Sequence, residues 1–265
     1  MNQQTPHPAP AQQPAEALWR QDNLANPHAA ADKASRVRGM FAAIAPSYDL
    51  NNRVHSLWMD QAWRRFAVKR AMVKPDDHVL DIACGTGDLT QAFARSKAAK
   101  VTGIDFTPQM LDVARIKQQR QPAEVGAKLS YMEGDAMALA VPDESADVVS
   151  IAFGIRNVQA PAKAIAEFFR VLRPGGRLIV LEFDTPRFAL ARWLNSWYCA
   201  RLMPRTATLI SGDKSGAYKY LPASVGAFMT REELLACMSG AGFENATATP
   251  LTMGICVCYR AFKPV

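Results

Sequence analysis

Residues 78–88, with the sequence HVLDIACGTGD, combine an apolar run with a glycine turn and the start of a helix. The apolar side chains from Val79 to Ala83 predict a strand that is covered on both faces. Gly85 and Gly87 let the backbone turn tightly and approach a ligand, and the helix that follows presents its positive N-terminus there. The stretch therefore predicts an α/β fold that binds a nucleotide-like ligand at the end of its first strand.

Strands and helices alternate after this stretch, which predicts a mostly parallel sheet with helices on both faces. Further strands are predicted at residues 100–105, 128–133, 146–152 and 177–183, and two closing strands at 244–249 and 254–262. Helices are predicted at residues 88–96, 161–172, 187–203 and 230–241. Another begins at Pro108 with Thr107 as its cap, and Thr230 with Glu233 predicts a capping box. The helix over 161–172 is expected to stop at a turn of residues 173–176.

The N-terminal part of the chain differs from this pattern. Residues 1–34 are rich in Gln, Pro and Ala and contain few large apolar side chains, so we expect a disordered tail over residues 1–37. Apolar residues at 40–45 and at helical spacing over 58–73 predict an N-terminal helical cap. Residues 38–265 are therefore expected to form a single domain.

The composition is that of a globular protein with a basic surplus. Of 265 residues, 49% are hydrophobic and 21% are charged, which excludes a wholly disordered or collagen-like chain. The formal net charge of +7 suits an anionic membrane, a nucleic acid or an acidic substrate and selects none of them. The five cysteines form no CxxC motif, so no metal site is predicted, and Cys256 and Cys258 alternate as buried strand residues do. No apolar run approaches the roughly 18–20 residues of a transmembrane helix.

Acidic positions after the glycine turn indicate which ligand is bound. Asp105 ends the second strand, where a carboxylate meets ribose hydroxyls, and Asp135 follows the third strand, where a carboxylate can recognise adenine. Thr90 stands where a dinucleotide motif spaced from Gly85 has its third glycine. Asp81 would repel a pyrophosphate but help to hold the amino group of a methionine tail through water or the backbone. The predicted cofactor is therefore S-adenosyl-L-methionine (SAM), with a nicotinamide dinucleotide as the alternative.

Four longer segments carry a resemblance to a known family. They read VLDIACGTGDLT, GIDFTPQMLDVAR, GDAMALAVPDESADVVSIAFGIRNV and RVLRPGGRLIVLEF, at residues 79–90, 103–115, 134–158 and 170–183. These segments resemble the ubiquinone/menaquinone biosynthesis C-methyltransferases, of the UbiE/MenG type, and the resemblance extends over residues 38–263. It implies a class I SAM-dependent methyltransferase with a Rossmann-like sheet that is mostly parallel and has a C-terminal antiparallel strand.

The resemblance and the motifs together define a predicted cofactor site. Ala152 stands where the family often has a serine, so a contact there would use the backbone. The predicted cofactor-binding residues are Asp81, Gly85, Thr86, Gly87, Asp105, Phe106, Asp135, Ala136 and Ala152.

The reaction that the resemblance implies is C-methylation of a polyprenylated quinol, either demethylmenaquinol or 2-polyprenyl-6-methoxy-1,4-benzoquinol. A ring carbon becomes nucleophilic when a neighbouring hydroxyl loses its proton, so a base or a cationic stabiliser is needed. Arg156 is the predicted stabiliser, and Tyr48, Asp49 and Asn157 are predicted to orient the ring or relay its proton. The alternatives are an ion pair between Arg156 and a nearby acid, and loop packing for Tyr48 and Asp49.

The aromatic-rich helix over 187–203 has two interpretations. In the first, its aromatic and aliphatic side chains form a lid and, with the arginines at 187, 192, 201 and 205, a membrane-facing surface. In the second, it is an ordinary amphipathic core helix. The first interpretation predicts a cytoplasmic protein that contacts the inner face of an anionic membrane. We expect no nucleic-acid partner, because no base-flipping motif or basic stripe is present. A homodimer and a quinone-synthesis complex both stay open.

Other functions fit part of this pattern. A SAM-dependent enzyme that methylates oxygen or nitrogen would share the cofactor site. A non-catalytic SAM-binding scaffold in a quinone-synthesis assembly would share it as well. Product analysis separates these three functions.

Overall fold

The computed structural model describes residues 18–19, 24, 27–28, 30–212 and 216–265. One sheet contains the strands β1 His78–Ile82, β2 Lys100–Asp105, β3 Leu129–Glu133, β4 Ala146–Ala152, β5 Leu172–Phe183, β6 Glu244–Leu251 and β7 Cys256–Phe262. Their order across the sheet is β3-β2-β1-β4-β5-β7-β6. Neighbours from β3 to β5 are parallel, whereas β7 runs antiparallel to both β5 and β6. The predicted fold class, a mostly parallel sheet with a C-terminal antiparallel strand, is confirmed.

Helices cover both faces of this sheet. They are α1 Lys33–Ile44, α2 Tyr48–Ser56, α3 Met59–Arg70, α4 Asp88–Ala94, α5 Pro108–Gln119, α6 Ala123–Gly126, α7 Pro161–Val171, α8 Ala189–Trp197, α9 Met203–Ser211, α10 Ala217–Gly226 and α11 Arg231–Gly240. A π-helix, Tyr198–Leu202, joins α8 to α9. Short 3₁₀ turns lie at Ala45–Ser47, Ile155–Asn157 and Thr252–Gly254.

The strand pattern explains why two separate apolar layers form. Successive side chains of a strand point to opposite faces, so Leu80 packs with Phe168 of α7, and Val79 packs with Trp63 of α3 and Phe93 of α4. Residues 79–82 of the central strand are buried throughout. Cys256 and Cys258 are buried in the second layer, as their alternation predicts, and the described cysteines are free thiols.

The N-terminal segment is more ordered than the sequence predicts. Helix α1 begins at Lys33, and Val37 is fully buried, so the expected disordered tail does not extend to residue 37. Trp19 is also buried and stacks on Tyr220 with 4.2 Å between ring centroids. Lys33 donates from Nζ to the carbonyl oxygens of Arg156 at 2.9 Å and Val158 at 2.6 Å. Residues 1–17, which the tail prediction includes, lie outside the described residues.

Three local predictions differ from the structure in detail. The helix predicted over 187–203 is divided into α8, the π-helix and α9, and it continues to Ser211. Thr107 occupies the N-cap position of α5 and Pro108 follows it, as predicted, but the Thr107 hydroxyl makes no capping hydrogen bond. Residues 173–176 do follow the end of α7, but they form the irregular start of β5, whose register shifts before Arg177. The Thr230 and Glu233 capping box is confirmed.

Parallel strands bring their carboxyl ends to one edge of the sheet. The glycine turn after β1, the Asp105 end of β2, the Asp135 turn after β3 and the Phe153–Asn157 segment after β4 therefore meet there. Helices α1, α2 and α10 close this edge from above and confirm the predicted N-terminal helical cap. None of the helices in the described parts of the chain combines the length and apolar character that crossing a membrane requires.

Candidate active site

The glycine turn after β1 has a geometry that other residues do not adopt easily. Gly85 and Gly87 have φ of +56° and +79°, which lie in the left-handed region. A Cβ on Gly87 would come within 2.5 Å of the Tyr131 hydroxyl, so no side chain fits at that position. A Cβ on Gly85 would meet nothing within 4 Å, because this glycine faces an open cavity.

This cavity has a volume of about 340 Å³ and lies at the carboxyl edge of the sheet. It is lined by eight residues of the predicted site: Tyr48, Gly85, Asp105, Phe106, Asp135, Ala136, Ala152 and Asn157. Its lining also contains Glu133, which pairs with Arg38 at 2.7 Å. Carboxylates suit ribose hydroxyls, an amino group and a sulfonium, whereas they repel the phosphates of a dinucleotide. The cavity and its donor set therefore fit SAM.

Asp105 is the central polar group of the cavity wall. Its Oδ2 accepts the backbone N–H of Gly85 at 2.8 Å, and its Oδ1 accepts that of Thr107 at 2.8 Å. Burial raises the pKa of this carboxyl, while the two backbone N–H groups oppose the rise. Because each carboxylate oxygen has a second lone pair, Asp105 keeps acceptor capacity for two ligand hydroxyls.

Three predicted cofactor residues do not line the cavity. Asp81 lies within the sheet, where it accepts hydroxyl hydrogen bonds from Thr90 and Ser150, both at 2.7 Å. Burial raises the pKa of Asp81 to about 6. The predicted help of Asp81 in holding a methionine tail, through water or the backbone, stays a prediction. Thr86 and Gly87 shape the turn, and Thr86 is buried.

Asp49 also lies apart from both cavity walls and takes part in an ion-pair network. It accepts the Thr86 hydroxyl at 2.5 Å and the Lys117 ammonium at 2.6 Å. Lys117 also pairs at 2.5 Å with Asp88, and Asp88 pairs with Arg53 at 2.8 Å. These contacts attach α2 to the cofactor turn and to α4. The loop-packing interpretation of Asp49 fits this geometry better than a proton-relay role.

A second cavity, of about 80 Å³, lies next to the cofactor cavity. Phe41, Tyr48 and Phe153 line both. Phe153 has φ of +58°, an uncommon backbone conformation for a bulky residue, and such strain is concentrated at functional sites. The other polar and aromatic residues that line the second cavity are Asn52, Ser56, Asp60, Arg64, Arg156, Phe183, Tyr218 and Tyr220.

Arg156 lines the second cavity, but its charge is already paired. Its Nη1 donates to Glu182 at 2.5 Å and to the Phe153 carbonyl at 2.8 Å, and its Nε donates to the Ser224 hydroxyl at 3.3 Å. Both side chains of the ion pair are at least 95% buried. The predicted alternative for Arg156, an ion pair with a nearby acid, is therefore present, with the acid on β5 rather than in a loop.

Tyr48 and Asn157 connect the two cavities. Burial raises the pKa of the Tyr48 hydroxyl, although Arg64 and a hydrogen bond with Asn52 oppose the rise. Asn157 donates to the Phe153 carbonyl at 3.2 Å and accepts the Tyr220 hydroxyl at 2.9 Å. Both residues lie where they can contact a molecule placed between the cavities.

The sequence reasoning missed several polar residues of the second cavity and its wall, among them Asp60, Arg64, Glu182 and Tyr220. Arg64 lies within the apolar periodicity of α3, where a charged residue on the buried face is a signal that was available. Glu182 likewise interrupts the apolar run of β5. Asp60 and Tyr220 carry no comparable signal, because their helices reach the cavity through tertiary packing.

The segment from residue 187 to 211 forms a surface that we call the apolar helix surface. Its exposed members include Phe188, Leu190, Trp193, Leu194, Trp197, Leu202 and Leu209. Trp193 is 63% exposed and Phe188 65%, which contradicts the interpretation as a core helix. His55 attaches α9 to α2, since its Nε2 lies 2.8 Å from the Thr206 hydroxyl.

Structural neighbours of the chain share its fold. A SAM-dependent methyltransferase from Thermotoga maritima superposes with a TM-score of 0.59 at 21% identity and covers 86% of this chain and 99% of its own. The [4+2]-cyclase SpnF superposes with a TM-score of 0.51 at 23% identity, and the match covers 77% of this chain and 81% of the cyclase. Because this fold also carries a cyclase, the fold by itself does not specify methyl transfer.

Sequence comparisons are more specific. The model of the ubiE/COQ5 methyltransferase family matches residues 29–263. The ubiquinone/menaquinone biosynthesis C-methyltransferase UbiE of Geotalea daltonii is 39% identical over 234 residues, or 88% of this chain and 98% of the relative. The demethylmenaquinone methyltransferase of Thermus thermophilus is 44% identical over 226 residues, which are 85% of this chain and 100% of the relative. The chain belongs to the ubiE/COQ5 methyltransferase family, and its cofactor is S-adenosyl-L-methionine.

Proposed function

We propose that this protein transfers a methyl group from SAM to a ring carbon of a polyprenylated quinol, as a step of menaquinone or ubiquinone synthesis. The printed names of the relatives describe this activity for those proteins. The observation that carries the proposal here is the second cavity, with aromatic and cationic walls, beside the cofactor cavity. Aromatic walls fit a quinol ring, and guanidinium groups fit an ionised ring oxygen.

The chemistry requires an activated carbon. When bound, SAM supplies an electrophilic methyl group. The ring carbon becomes nucleophilic after a ring hydroxyl releases its proton to solvent. A carbon–carbon bond then forms as the carbon–sulfur bond breaks, with its electron pair left on sulfur, and the ring hydrogen leaves as a proton. The protein contributes by holding the ring in line with the methyl group and by stabilising the ring oxygen.

The size of the second cavity implies that its wall moves when the ring enters. A protein cavity of roughly 150 Å³ holds benzene, so 80 Å³ is too small for a quinol ring. Tyr48 and Phe153, which line both cavities, are the side chains that would lie between ring and methyl group. Asn157 would hold a ring oxygen from its place beside Tyr48.

A product assay tests this function directly. The purified protein is incubated without oxygen with SAM that carries a ¹³C methyl group, and with demethylmenaquinol or 2-polyprenyl-6-methoxy-1,4-benzoquinol. We expect a product one methyl heavier, with the ¹³C resonance of a methyl group on a ring carbon. A Gly85→Val variant, whose side chain would enter the cofactor cavity, serves as the inactive control. A methyl group on oxygen would contradict the proposal, and so would SAM binding without product.

We also propose that the apolar helix surface contacts an anionic bilayer. Exposed aromatic and aliphatic side chains are accompanied by exposed Arg187, Arg192, Arg201 and Arg205. Trp and Arg together fit the interface between lipid tails and anionic headgroups. Such contact would bring the cavities close to a substrate whose polyprenyl tail lies in the membrane.

Flotation with liposomes tests this contact. We expect the protein to float with phosphatidylglycerol liposomes at low salt and to stay in the dense fraction with phosphatidylcholine liposomes. A Trp193→Ser/Trp197→Ser variant should lose flotation, whereas Ile116→Ser, an exposed apolar change on α5, should keep it. Equal flotation of both variants would contradict the assignment of this surface. The cytoplasmic location, the homodimer and the quinone-synthesis complex stay predictions.

A further inference from the structure

Arg64 has a position in the second cavity that the function so far has not used. It lies on α3, its side chain is 92% buried, and it lines this cavity together with Asp60 and Arg156. Its guanidinium carbon stands 5.4 Å from the centre of the Phe153 ring. The sequence places a permanent positive charge in a site where each buried charge requires compensation.

The carboxylates nearest to Arg64 are hydrogen-bonded to other donors. Asp60 accepts the Ser56 hydroxyl at 3.0 Å and the Gln61 amide at 2.8 Å. Asp88 accepts Arg53 at 2.8 Å and Lys117 at 2.5 Å. From Arg64 Nε the distances to these carboxylates are 3.8 Å and 4.0 Å, which are too long for hydrogen bonds.

The Nε of Arg64 is thus a buried donor that has no acceptor among the residues that the structure describes. Leaving a buried donor unsatisfied costs free energy, and the cost is larger for a charged group. Arg156, which lines the same cavity, differs, because Glu182 neutralises it at 2.5 Å. Of these two guanidinium groups, Arg64 is the one without a hydrogen bond to a carboxylate among the described residues.

We propose, on the basis of the proposed function, that Arg64 is a catalytic residue that donates to the ionised ring hydroxyl of the quinol and stabilises its negative charge. The ring hydroxyl releases its proton to solvent as the ring binds, and the resulting anion completes the hydrogen bonding of the guanidinium. Charge then moves from the ring oxygen into the ring carbon that accepts the methyl group. Arg156 holds the Phe153–Asn157 segment in place and is a positioning residue.

Several other groups that line the second cavity, where the ring hydroxyl of the quinol would lie, can also ionise. The charged and titratable residues of the second cavity are Tyr48, Asp60, Arg64, Arg156, Tyr218 and Tyr220, and Asp88 lies behind Arg64. Burial raises the pKa values of both Tyr48 and Tyr220, to about 12 for Tyr220, so neither competes for the proton near neutral pH. Because Lys33, which donates to the Arg156 carbonyl, has a pKa of about 8, the test uses the difference between the wild-type profile and the variant profiles rather than a single pKa.

The test compares Arg64→Met, Arg64→Gln and Arg64→Lys with wild type and with Arg65→Met, an exposed neighbour on the same helix. Circular dichroism and calorimetric SAM titration establish that each variant is folded and binds cofactor. Loss of one donor to a developing anion lowers kcat by about 100- to 1000-fold, which we expect for the neutral variants. Arg64→Lys keeps the charge and should retain more activity, and Arg65→Met should match wild type.

The pH dependence of kcat is the measurement that a merely structural role would not change. A cation within hydrogen-bond distance of an acidic group lowers the pKa of that group by about 1–3. The apparent pKa of the rate profile should therefore rise by that amount in Arg64→Met and Arg64→Gln. Arg64→Lys should keep a profile close to wild type. If Arg64→Met does not fold, Arg64→Gln, whose amide keeps hydrogen-bonding capacity in the buried site, provides the result.

The outcomes separate this inference from the proposed function. An active wild type with neutral variants of unchanged kcat and pH profile overturns the role of Arg64 and leaves the proposed function intact. A wild type that binds SAM and methylates neither quinol overturns the proposed function itself. Lower kcat with an unchanged pH profile in the neutral variants would show that Arg64 acts structurally, which also overturns the inference.

Discussion

At the scale of single residues, partners decide what a charged side chain can do. The sequence predicts Arg156 as a cationic stabiliser in the cleft, with an ion pair as the alternative, and Glu182 pairs with it in the core. Arg64 carries the same charge in the same cavity without a hydrogen-bonded carboxylate. The residue types are identical, so the difference arises entirely from the neighbours that the fold supplies.

The Arg156 and Glu182 pair gives a stability prediction. Arg156→Met leaves an unpaired carboxylate in a buried site, so we expect the free energy of unfolding to fall by about 3–5 kcal/mol. An Arg156→Met/Glu182→Leu variant removes both charges and should recover part of this loss. Urea unfolding at pH 7 measures both changes. A single variant as stable as wild type would show that this pair contributes little.

Asp81 gives a prediction on pH dependence. Its pKa is raised to about 6 from an ordinary value of 3.8, so the folded state binds the proton more tightly than the unfolded state. Stability from this group therefore increases as pH falls from about 6 towards 4. Relative to Asp81→Asn, the wild type should gain on the order of 2–3 kcal/mol over this interval. Urea unfolding of both proteins at pH 4.5, 5.5 and 7 measures this, and the opposite slope would contradict it.

At the scale of elements, the junction between α2 and α3 is unusual. Leu57 and Trp58 have φ of +51° and +61°, and they are 80% and 59% exposed. Two consecutive left-handed residues with large apolar side chains are costly, and exposure removes the packing that could offset this cost. Their place near α9, through the His55 and Thr206 contact, makes them an extension of the apolar helix surface.

At this junction, we expect a substitution that increases the stability of the fold to weaken binding to anionic liposomes. Leu57→Gly relieves the left-handed strain at the end of α2, so the free energy of unfolding should increase by about 0.5–1 kcal/mol after the larger entropy of an unfolded glycine is included. Flotation with anionic liposomes should become weaker, because an exposed apolar side chain is lost. Thermal unfolding and flotation measure the two effects. A less stable Leu57→Gly protein would contradict the strain argument.

Element boundaries show where sequence reasoning was effective. The capping box at Thr230 and the strands β1, β2 and β4 were predicted, since local hydrogen bonds and apolar periodicity determine them. The irregular start of β5 was not predicted, because residues 173–176 resemble a helix stop. Their place in the strand depends on pairing with β4. Local patterns specify elements, and neighbours adjust their ends.

At the scale of the whole molecule, the N-terminal segment reaches the active site through a chain of contacts. Trp19 stacks on Tyr220, Tyr220 donates to Asn157 at 2.9 Å, and Asn157 lines the cofactor cavity. Lys33 adds a second attachment to the Arg156 and Val158 carbonyls. Burial and the nearby charge of Arg156 together lower the pKa of Lys33 to about 8. Residues far apart in sequence thus hold the substrate side of the site.

This chain of contacts predicts an effect of a distant residue on the substrate. Trp19→Ala removes a stacking interaction of about 0.5–1.5 kcal/mol, so the KM for quinol should rise about three- to tenfold. SAM affinity should change less than the KM for quinol, because Tyr220, on which Trp19 stacks, lines the second cavity and not the cofactor cavity. Trp19→Phe keeps an aromatic ring on Tyr220 and should stay close to wild type. Steady-state kinetics and calorimetry measure these values, and equal KM in all three proteins would contradict the connection.

The sequence patterns by themselves determined the α/β class, the mostly parallel sheet, the glycine turn and the carboxylate at Asp105, whereas the C-terminal antiparallel strand was expected from the family resemblance. These features depend on short-range periodicity, on backbone freedom at Gly85 and Gly87, and on the rule that parallel strands end at one edge. Tertiary structure alone decided the pairing of Arg156 with Glu182, the enclosure of Asp81, the order of residues 33–37 and the place of Arg64. Each of these features depends on which side chains, distant in sequence, meet in the low-dielectric interior. In that interior the hydrogen-bond partners of a side chain determine its role more than its residue type does.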